Sequence, residues 1–307
     1  MKVKTPLAIA AKKCLHESLP PEMISRLALE VVPGYDLSSK TGFPATMPVP
    51  AQLAVSHLVD DVIAKGRFLV LAERLAALDR EGFMGRAYRI TGLREVFRGI
   101  FAEGYLWDEE TQLFMEDPKT RRTPDWGRLL EGEEHRFSFL RIDIVKNSRL
   151  VHIHGETAAR EAYDDLRNIF ARVVELRGGR VWRWEGDGAL AAFLFGHSTT
   201  SAVLAGMALL HELFLYDRLH NSLGEPLRVR AAVHTGPLRY SPEIGDVLKQ
   251  ETVQEVLDAE GHWTPPGALT ITPAVAPTLD RVILGRFKPS LDPSSRLLAY
   301  EVRIGTP

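Results

Sequence analysis

From residue 136 onward the apolar pattern of the chain changes period several times, and the order of those changes limits the folds open to it. "RFSFLRIDI" alternates apolar and polar residues as a strand does. A helix follows to about residue 175, in which Ala159, Ala162, Leu166, Ile169 and Val173 recur every three or four positions. Next come a hairpin, "GRVWRWEGDGALAAFLF", a second helix over about 197–219, and the strand "LRVRAAVHTG". The order is βαββαβ. It predicts an α+β chain with a ferredoxin-like core, both helices lying on one face of the sheet. Short helices and strands follow in "TVQEVLDAEG", "ALTIT", "AVAPTLD", "RVILGRF" and "LLAYEVRI".

The chain before this core reads as helical. "PAQLAVSHLVDDVIAKG" places Leu53, Val55, Leu58, Val62 and Ile63 at helical intervals and stops at Gly66. "RFLVLAERLAALDREG" repeats the pattern to Gly82, and "GLREVFRGIFAEG" is a third helix. "VVPGYDLSSKTGFPATMPVP" is loop-like, rich in Pro, Gly and Ser. The expected organisation is an all-α domain over 1–105, a linker over 106–135 and the α+β domain over 136–307. The linker carries many charges and docks in places through Leu113, Phe114, Trp126 and Leu129.

Composition narrows the function classes. The 307 residues are 45% hydrophobic, ample for packed cores, and carry a net charge of −2. No basic excess points to nucleic acid or to a membrane surface. The single cysteine, Cys14, excludes an internal disulfide framework and a cysteine-rich zinc site, and fits a reducing compartment. The apolar stretch "TSAVLAGMALLHELFL" is interrupted by His211 and Glu212 and is shorter than the ~20 residues a bilayer requires. The first residues lack the apolar core of a signal peptide. The expectation is a cytoplasmic protein.

Two carboxylates are candidates for chemistry. Asp143 ends the first strand of the core, and Asp187 sits at the hairpin tip between Gly186 and Gly188. In a βαββαβ sheet the first strand lies beside that hairpin, so the two meet at one sheet end. Facing carboxylates repel unless a cation lies between them. Oxygen-only ligation suits Mg²⁺ or Mn²⁺, which keeps waters and takes substrate phosphates. Loop 144–149 opens a helix and offers backbone N–H groups, a natural phosphate seat. An aspartate in a glycine-flanked turn is common by itself. The pairing with Asp143 gives it meaning.

Three stretches in order, "FLRIDIVKNSRL", "GGRVWRWEGDGALAAF" and "LRVRAAVHTG", resemble the catalytic domain of class III nucleotidyl cyclases, the family of the adenylate and guanylate cyclases, over about 136–303. The resemblance implies a head-to-tail homodimer. It also implies two Mg²⁺ or Mn²⁺ ions held by Asp143, Asp187 and the carbonyl of Ile144, and attack of a ribose 3′-hydroxyl on the α-phosphate of a nucleoside triphosphate. Gly186 and its neighbour let the hairpin turn tightly and the ligand approach the backbone. The resemblance further assigns Arg230, Lys288 and the backbone of Asn147 and Ser148 to the triphosphate, and turns Arg183 toward the base. His234 of "VHTG" reads as structural.

The sequence also departs from the family. Arg183 stands where a base-selecting lysine is usual, and its planar fork suits a carbonyl-bearing base. Gln254 and Asp258 stand where an asparagine that orients the ribose and an arginine that stabilises phosphate charge are usual. Loss of such a donor costs roughly 3–4 kcal/mol. Arg239 or Arg121 is a candidate to replace it, and Tyr240 is the nearest candidate for a second base contact. The alternative function is a catalytically weak nucleotide-binding and dimerising module, with its pocket closed by Trp184 or Asp258. In the N-terminal part, "LVDDVIAKGRFLVLAERL" and "ALDREGFMGRAYRITGLREVF" loosely resemble effector-associated adaptor domains, which implies a protein partner there.

Overall fold

The computed structural model describes residues 1–43, 47, 49–290 and 296–302. Part of the loop-like stretch before the helix at residue 51, and the chain end from 303, therefore lie outside the described residues. The chain separates into two compact units, residues 1–128 and residues 129 onward.

Six helices build the first unit: α1 (Thr5–Ser18), α2 (Pro21–Val31), α3 (Leu37–Thr41), α4 (Ala51–Ala64), α5 (Phe68–Glu81) and α6 (Leu93–Ala102). Gly82 takes φ +71° at the end of α5, and a Cβ there would lie 2.3 Å from the Arg86 carbonyl oxygen, so the stop read from sequence is sterically enforced. Leu15, Ile24, Leu27, Leu58, Leu75 and Ile100 form a closed apolar centre.

The unit is not all helical. A hairpin, β1 (Tyr105–Asp108) and β2 (Leu113–Glu116), completes it. Glu73 of α5 accepts from the Phe114 amide (2.9 Å) and from Arg128 Nη2 (2.8 Å), both inside the core. The stretch read as a linker over 106–135 is thus divided between the units at Arg128. Four-residue strands around a polar turn are too short to show a period of two, and a buried glutamate looks like any surface charge in the sequence.

The second unit carries a seven-stranded sheet. Its strands are β3 (Glu134–Ile144), β4 (Arg180–Glu185), β5 (Gly188–Phe193), β6 (Val229–Arg239), β7 (Ala268–Ile271), β8 (Lys288–Pro289) and β9 (Leu298–Glu301). Their order is β4-β5-β3-β6-β7-β9-β8. The first four strands have the ferredoxin-like arrangement, with β3 antiparallel to both β5 and β6, and β7 extends it parallel to β6. Helices α7 (Asn147–Glu175) and α8 (Ser198–Leu219) share one face and bury Leu140, Ile142, Ala189, Ala191, Ala231 and Val233.

Helix α7 is broken at Gly155 (φ 80°, ψ 162°), a conformation only glycine adopts readily. Helix α8 is long and apolar enough to cross a membrane by composition, but it packs against the sheet. A Cβ on its Gly206 would lie 2.7 Å from Leu269 Cδ1.

The short helices α9 (Ile244–Leu248), α10 (Glu251–Asp258) and α11 (Arg281–Leu284) complete the unit. Helix α10 runs into a π-helical turn, Ala259–Trp263, and both pack against β3 and β6. The register of β4 shifts between Val181 and Arg183. This irregularity separates the two tryptophans. Trp184 packs on Phe170 of α7 at 5.4 Å, while Trp182 packs on Phe137 and Phe139 at 5.3 and 5.6 Å. A regular strand would have put both on one face.

Candidate functional site

Alternation along β3 divides its side chains. Leu140, Ile142 and Ile144 join the helix-covered core, which leaves Phe137, Phe139, Arg141 and Asp143 to the other face. Asp143 is paired in register with Gly188 of β5 and with Arg230 of β6. The Ile144 amide donates to the Asp187 carbonyl oxygen at 3.2 Å. Asp143 near the end of β3 and Asp187 in the turn before β5 are therefore neighbours at one end of the sheet. Among the described residues, no hydrogen bond or ion pair is made to the Asp187 carboxylate.

Asp143 is not alone. Arg230 donates from Nη2 to Asp143 Oδ2 (2.7 Å) and from Nη1 to the Gly261 carbonyl (3.1 Å), and its Nε lies 2.9 Å from Glu260 Oε1. Arg141 reaches Glu260 Oε2 at 3.6 Å. Two arginines and two carboxylates, from β3, β6 and the π-helical turn, thus form one cluster. The Glu260 side chain is only 5% exposed. Burial pushes its carboxyl above the usual range and Asp143 adds to this, against the pull of Arg230 and Arg141. The Arg141 guanidinium also covers Gly188, where a Cβ would lie 2.4 Å from Nη2. What approaches the hairpin backbone at Gly188 is therefore this side chain.

The loop after β3 supplies the second part of the site. Lys146 takes a left-handed conformation (φ 58°) just before α7, uncommon for a residue with a Cβ. The amides of Asn147 and Ser148 begin the helix with no backbone acceptor among the described residues. The Asn147 side chain accepts from the Tyr163 hydroxyl, whose pKa is raised by burial and by the charge of Asp187. Lys146, Arg149 and Arg228 line a cleft of about 250 Å³ at this sheet end. Glu225 lies in the same cleft, held by His154 at 2.9 Å, and that bond lowers its pKa.

The donor set fits a divalent ion. No group of three or more His, Cys, Asp or Glu side chains is placed to hold a metal among the described residues. Two carboxylates and a backbone carbonyl are oxygen donors of the kind Mg²⁺ takes when substrate phosphates complete its shell. Arg230 engages one oxygen of Asp143, so an ion at Asp143 would share that carboxylate with it.

Several predicted residues stand elsewhere or are engaged otherwise. Arg183 pairs with Glu185 of its own strand at 2.7 Å. Lys288 lies on β8, four strands from β3 and so about 19 Å across the sheet. There it lines a cavity of about 570 Å³ with His211, Arg286 and Tyr300. One protomer therefore does not bring Lys288 to Asp143, because the intervening strands hold it at the sheet edge.

Gln254 donates to the Leu248 carbonyl, and Asp258 is held by His262 (2.7 Å) and Trp263 (3.3 Å). Arg239 ends β6, nine residues from Arg230 and so about 30 Å along the strand. Within one protomer that distance keeps Arg239 from Asp143. Arg121 bonds Glu116 and Tyr105 in the first unit. Tyr240 lies against Trp182, ring centroids 6.0 Å apart and tilted by 59°. His234 bonds Thr272 Oγ1 at 2.8 Å, and burial, with Arg136 nearby, lowers its pKa to about 4, so it is neutral at physiological pH.

Sequence reading missed Arg141 and Glu260. Arg141 had a signal, since it shares the parity of Asp143 on the strand. Glu260 had none.

No family model and no curated protein matches the chain. Among solved structures it is similar to the guanylyl cyclase domain of the RhoGC fusion protein from the aquatic fungus Blastocladiella emersonii (14% identity, 52% of this chain and 91% of that chain, TM-score 0.45). It is also similar to the guanylate cyclase domain of RhGC from Catenaria anguillulae, solved in complex with GTP (14% identity, 55% and 96%, TM-score 0.44). A third is the adenylyl cyclase CyaB from P. aeruginosa (16% identity, 57% and 98%, TM-score 0.46). Each of these matches spans about half of this chain and nearly all of the other.

Proposed function

We propose that the second unit is a metal-dependent nucleotidyl cyclase that converts a nucleoside triphosphate to a 3′,5′-cyclic nucleotide and pyrophosphate, acting as a homodimer. The observation that carries this reading is the pair Asp143 and Asp187, brought to one sheet end by register, with the Asp187 carboxylate unpartnered among the described residues. A domain used only for packing has no physical need of two carboxylates brought together there.

Asp143, Asp187 and the Ile144 carbonyl would hold the metal. When bound, two divalent ions supply charge neutralisation at the attacking and leaving oxygens. The remaining work falls to the chain. The free amides at the start of α7, with Lys146, Arg149 and Arg228, orient the phosphate chain so that the bond to the β-phosphate lies opposite the incoming 3′-oxygen. Arg183 sits beside the hairpin on the base side and selects by its N–H fork. Lys288 reaches the triphosphate only from a second protomer, which is why the reading includes a dimer.

The test is product formation from ATP, GTP, UTP and CTP with Mn²⁺, comparing wild type with Asp143→Ala. A cyclic product that the substitution abolishes supports the reading and names the base. A folded dimer that yields none from any of the four overturns it.

A second reading, a catalytically weak nucleotide-binding module recruited through its N-terminal unit, is favoured by one observation. Asp258, at the position of the usual arginine, is turned to His262 and Trp263 and brings no positive charge.

A further inference from the structure

A nucleotide site that has lost its helical arginine needs a cation elsewhere for the phosphate charge. Arg141 is placed to be that cation. It stands two residues before Asp143 on the same face of β3, in a strand where Leu140 and Ile142 are fully buried. An arginine in the middle of a central strand costs desolvation and contributes little packing. Its side chain is 15% exposed, and among the described residues its one carboxylate partner is Glu260, at 3.6 Å. That separation is outside hydrogen-bond reach, and the buried Nε makes no hydrogen bond. The Nε of Arg230 likewise makes no hydrogen bond, but its Nη1 and Nη2 donate to the Gly261 carbonyl and to Asp143, whereas no hydrogen bond is made from Arg141 among the described residues. Of the two guanidinium groups in the cluster, Arg141 therefore holds donors in reserve, and it does so over Gly188, next to the unpartnered Asp187.

We propose that Arg141 is a phosphate-contacting residue of this site, binding the triphosphate of the nucleotide through the N–H donors that the fold leaves unused. The proposal rests on the nucleotide-cyclase reading for the identity of the ligand. Its chemistry is that of a planar guanidinium meeting phosphoryl oxygens, an interaction formed with or without a divalent ion. Glu260 fixes the direction of the side chain from behind. Gly188 leaves it room, since any larger residue would force the guanidinium off the turn.

The experiment is calorimetric titration of the full chain with inorganic tripolyphosphate, ATP and GTP, each in Mg²⁺ and again in EDTA. Wild type is expected to retain measurable tripolyphosphate binding in EDTA. Arg141→Gln is expected to lose about tenfold or more in affinity for every ligand under both conditions, the size of a lost charge-assisted hydrogen bond. Arg141→Lys recovers part of that loss, which guards against a variant that merely fails to fold. Nucleotide binding in Mg²⁺ that Arg141→Gln leaves unchanged overturns the role of Arg141 and leaves the cyclase reading standing. Wild type that binds no nucleotide even in Mg²⁺ overturns both.

Discussion

Each unit of the molecule buries carboxylates against arginines, and the two do so to opposite ends. In the first unit Glu73 and Arg128 are 7% and 4% exposed, and the remaining Glu73 oxygen takes the Phe114 amide. The pair is sealed, and it ties the hairpin and the end of the unit to α5. In the second unit Asp143, Arg230, Glu260 and Arg141 form a cluster that is partly open, and Asp187 adds a further unmatched charge beside it. A sealed pair is a structural device, because breaking it leaves a charge with no solvent. An open cluster with spare donors and a spare carboxylate is suited to a ligand that comes and goes.

The largest expected effect tests the sealed side. Glu73→Ala removes the carboxylate that accepts from Arg128 and from the Phe114 amide inside the core, which costs about 3–5 kcal/mol. Denaturant unfolding should show that loss. Asp143→Ala should cost only about 1 kcal/mol, since Arg230 keeps Glu260 and Gly261 and is partly exposed. Equal losses would erase the distinction between the two groupings. Activity should rank them the other way, with Asp143→Ala or Asp187→Ala lowering cyclic product by at least about 10²-fold in a protein that remains folded at the assay temperature.

A subtler change probes the open side alone. In Gly188→Ala the new Cβ meets the tip of a flexible side chain, so Arg141 can swing away and the backbone need not move. The expected result is tripolyphosphate affinity reduced by about tenfold with the melting temperature nearly unchanged. A protein that loses stability and keeps its affinity would mean that Gly188 serves only the sheet.

What the sequence disclosed follows from what kind of signal each feature leaves. The core order, the extents of α4, α5 and α8, and the meeting of Asp143 with Asp187 were legible because they depend on periodicity and on glycine stops, which are local. Trp182 and Trp184 share one parity in the sequence, and the register shift between them cannot be seen without a partner strand. The hairpin at Tyr105–Glu116 was hidden by its brevity. Glu73, Glu116 and Glu260 were hidden because a buried glutamate has the same letter as an exposed one, and only long-range packing tells them apart.

The smallest expected effect concerns a titrating group that belongs to neither cluster. His234 is held neutral, its pKa lowered to about 4 by burial first and by Arg136 second, while its ring bonds Thr272. In the unfolded chain the same imidazole takes a proton near its ordinary value of about 6.5. Between those values the unfolded state binds the extra proton, so stability falls as pH drops from about 6.5 toward 4 and is indifferent to this group above 6.5. His234→Asn keeps a polar partner for Thr272 and removes the titration. Melting temperatures of the two proteins, measured at about pH 7.5 and about pH 5, should therefore converge on acidification, the wild type losing more. A constant difference between them would mean that His234 takes up no extra proton on unfolding in this range, and that the acid sensitivity of the second unit originates elsewhere.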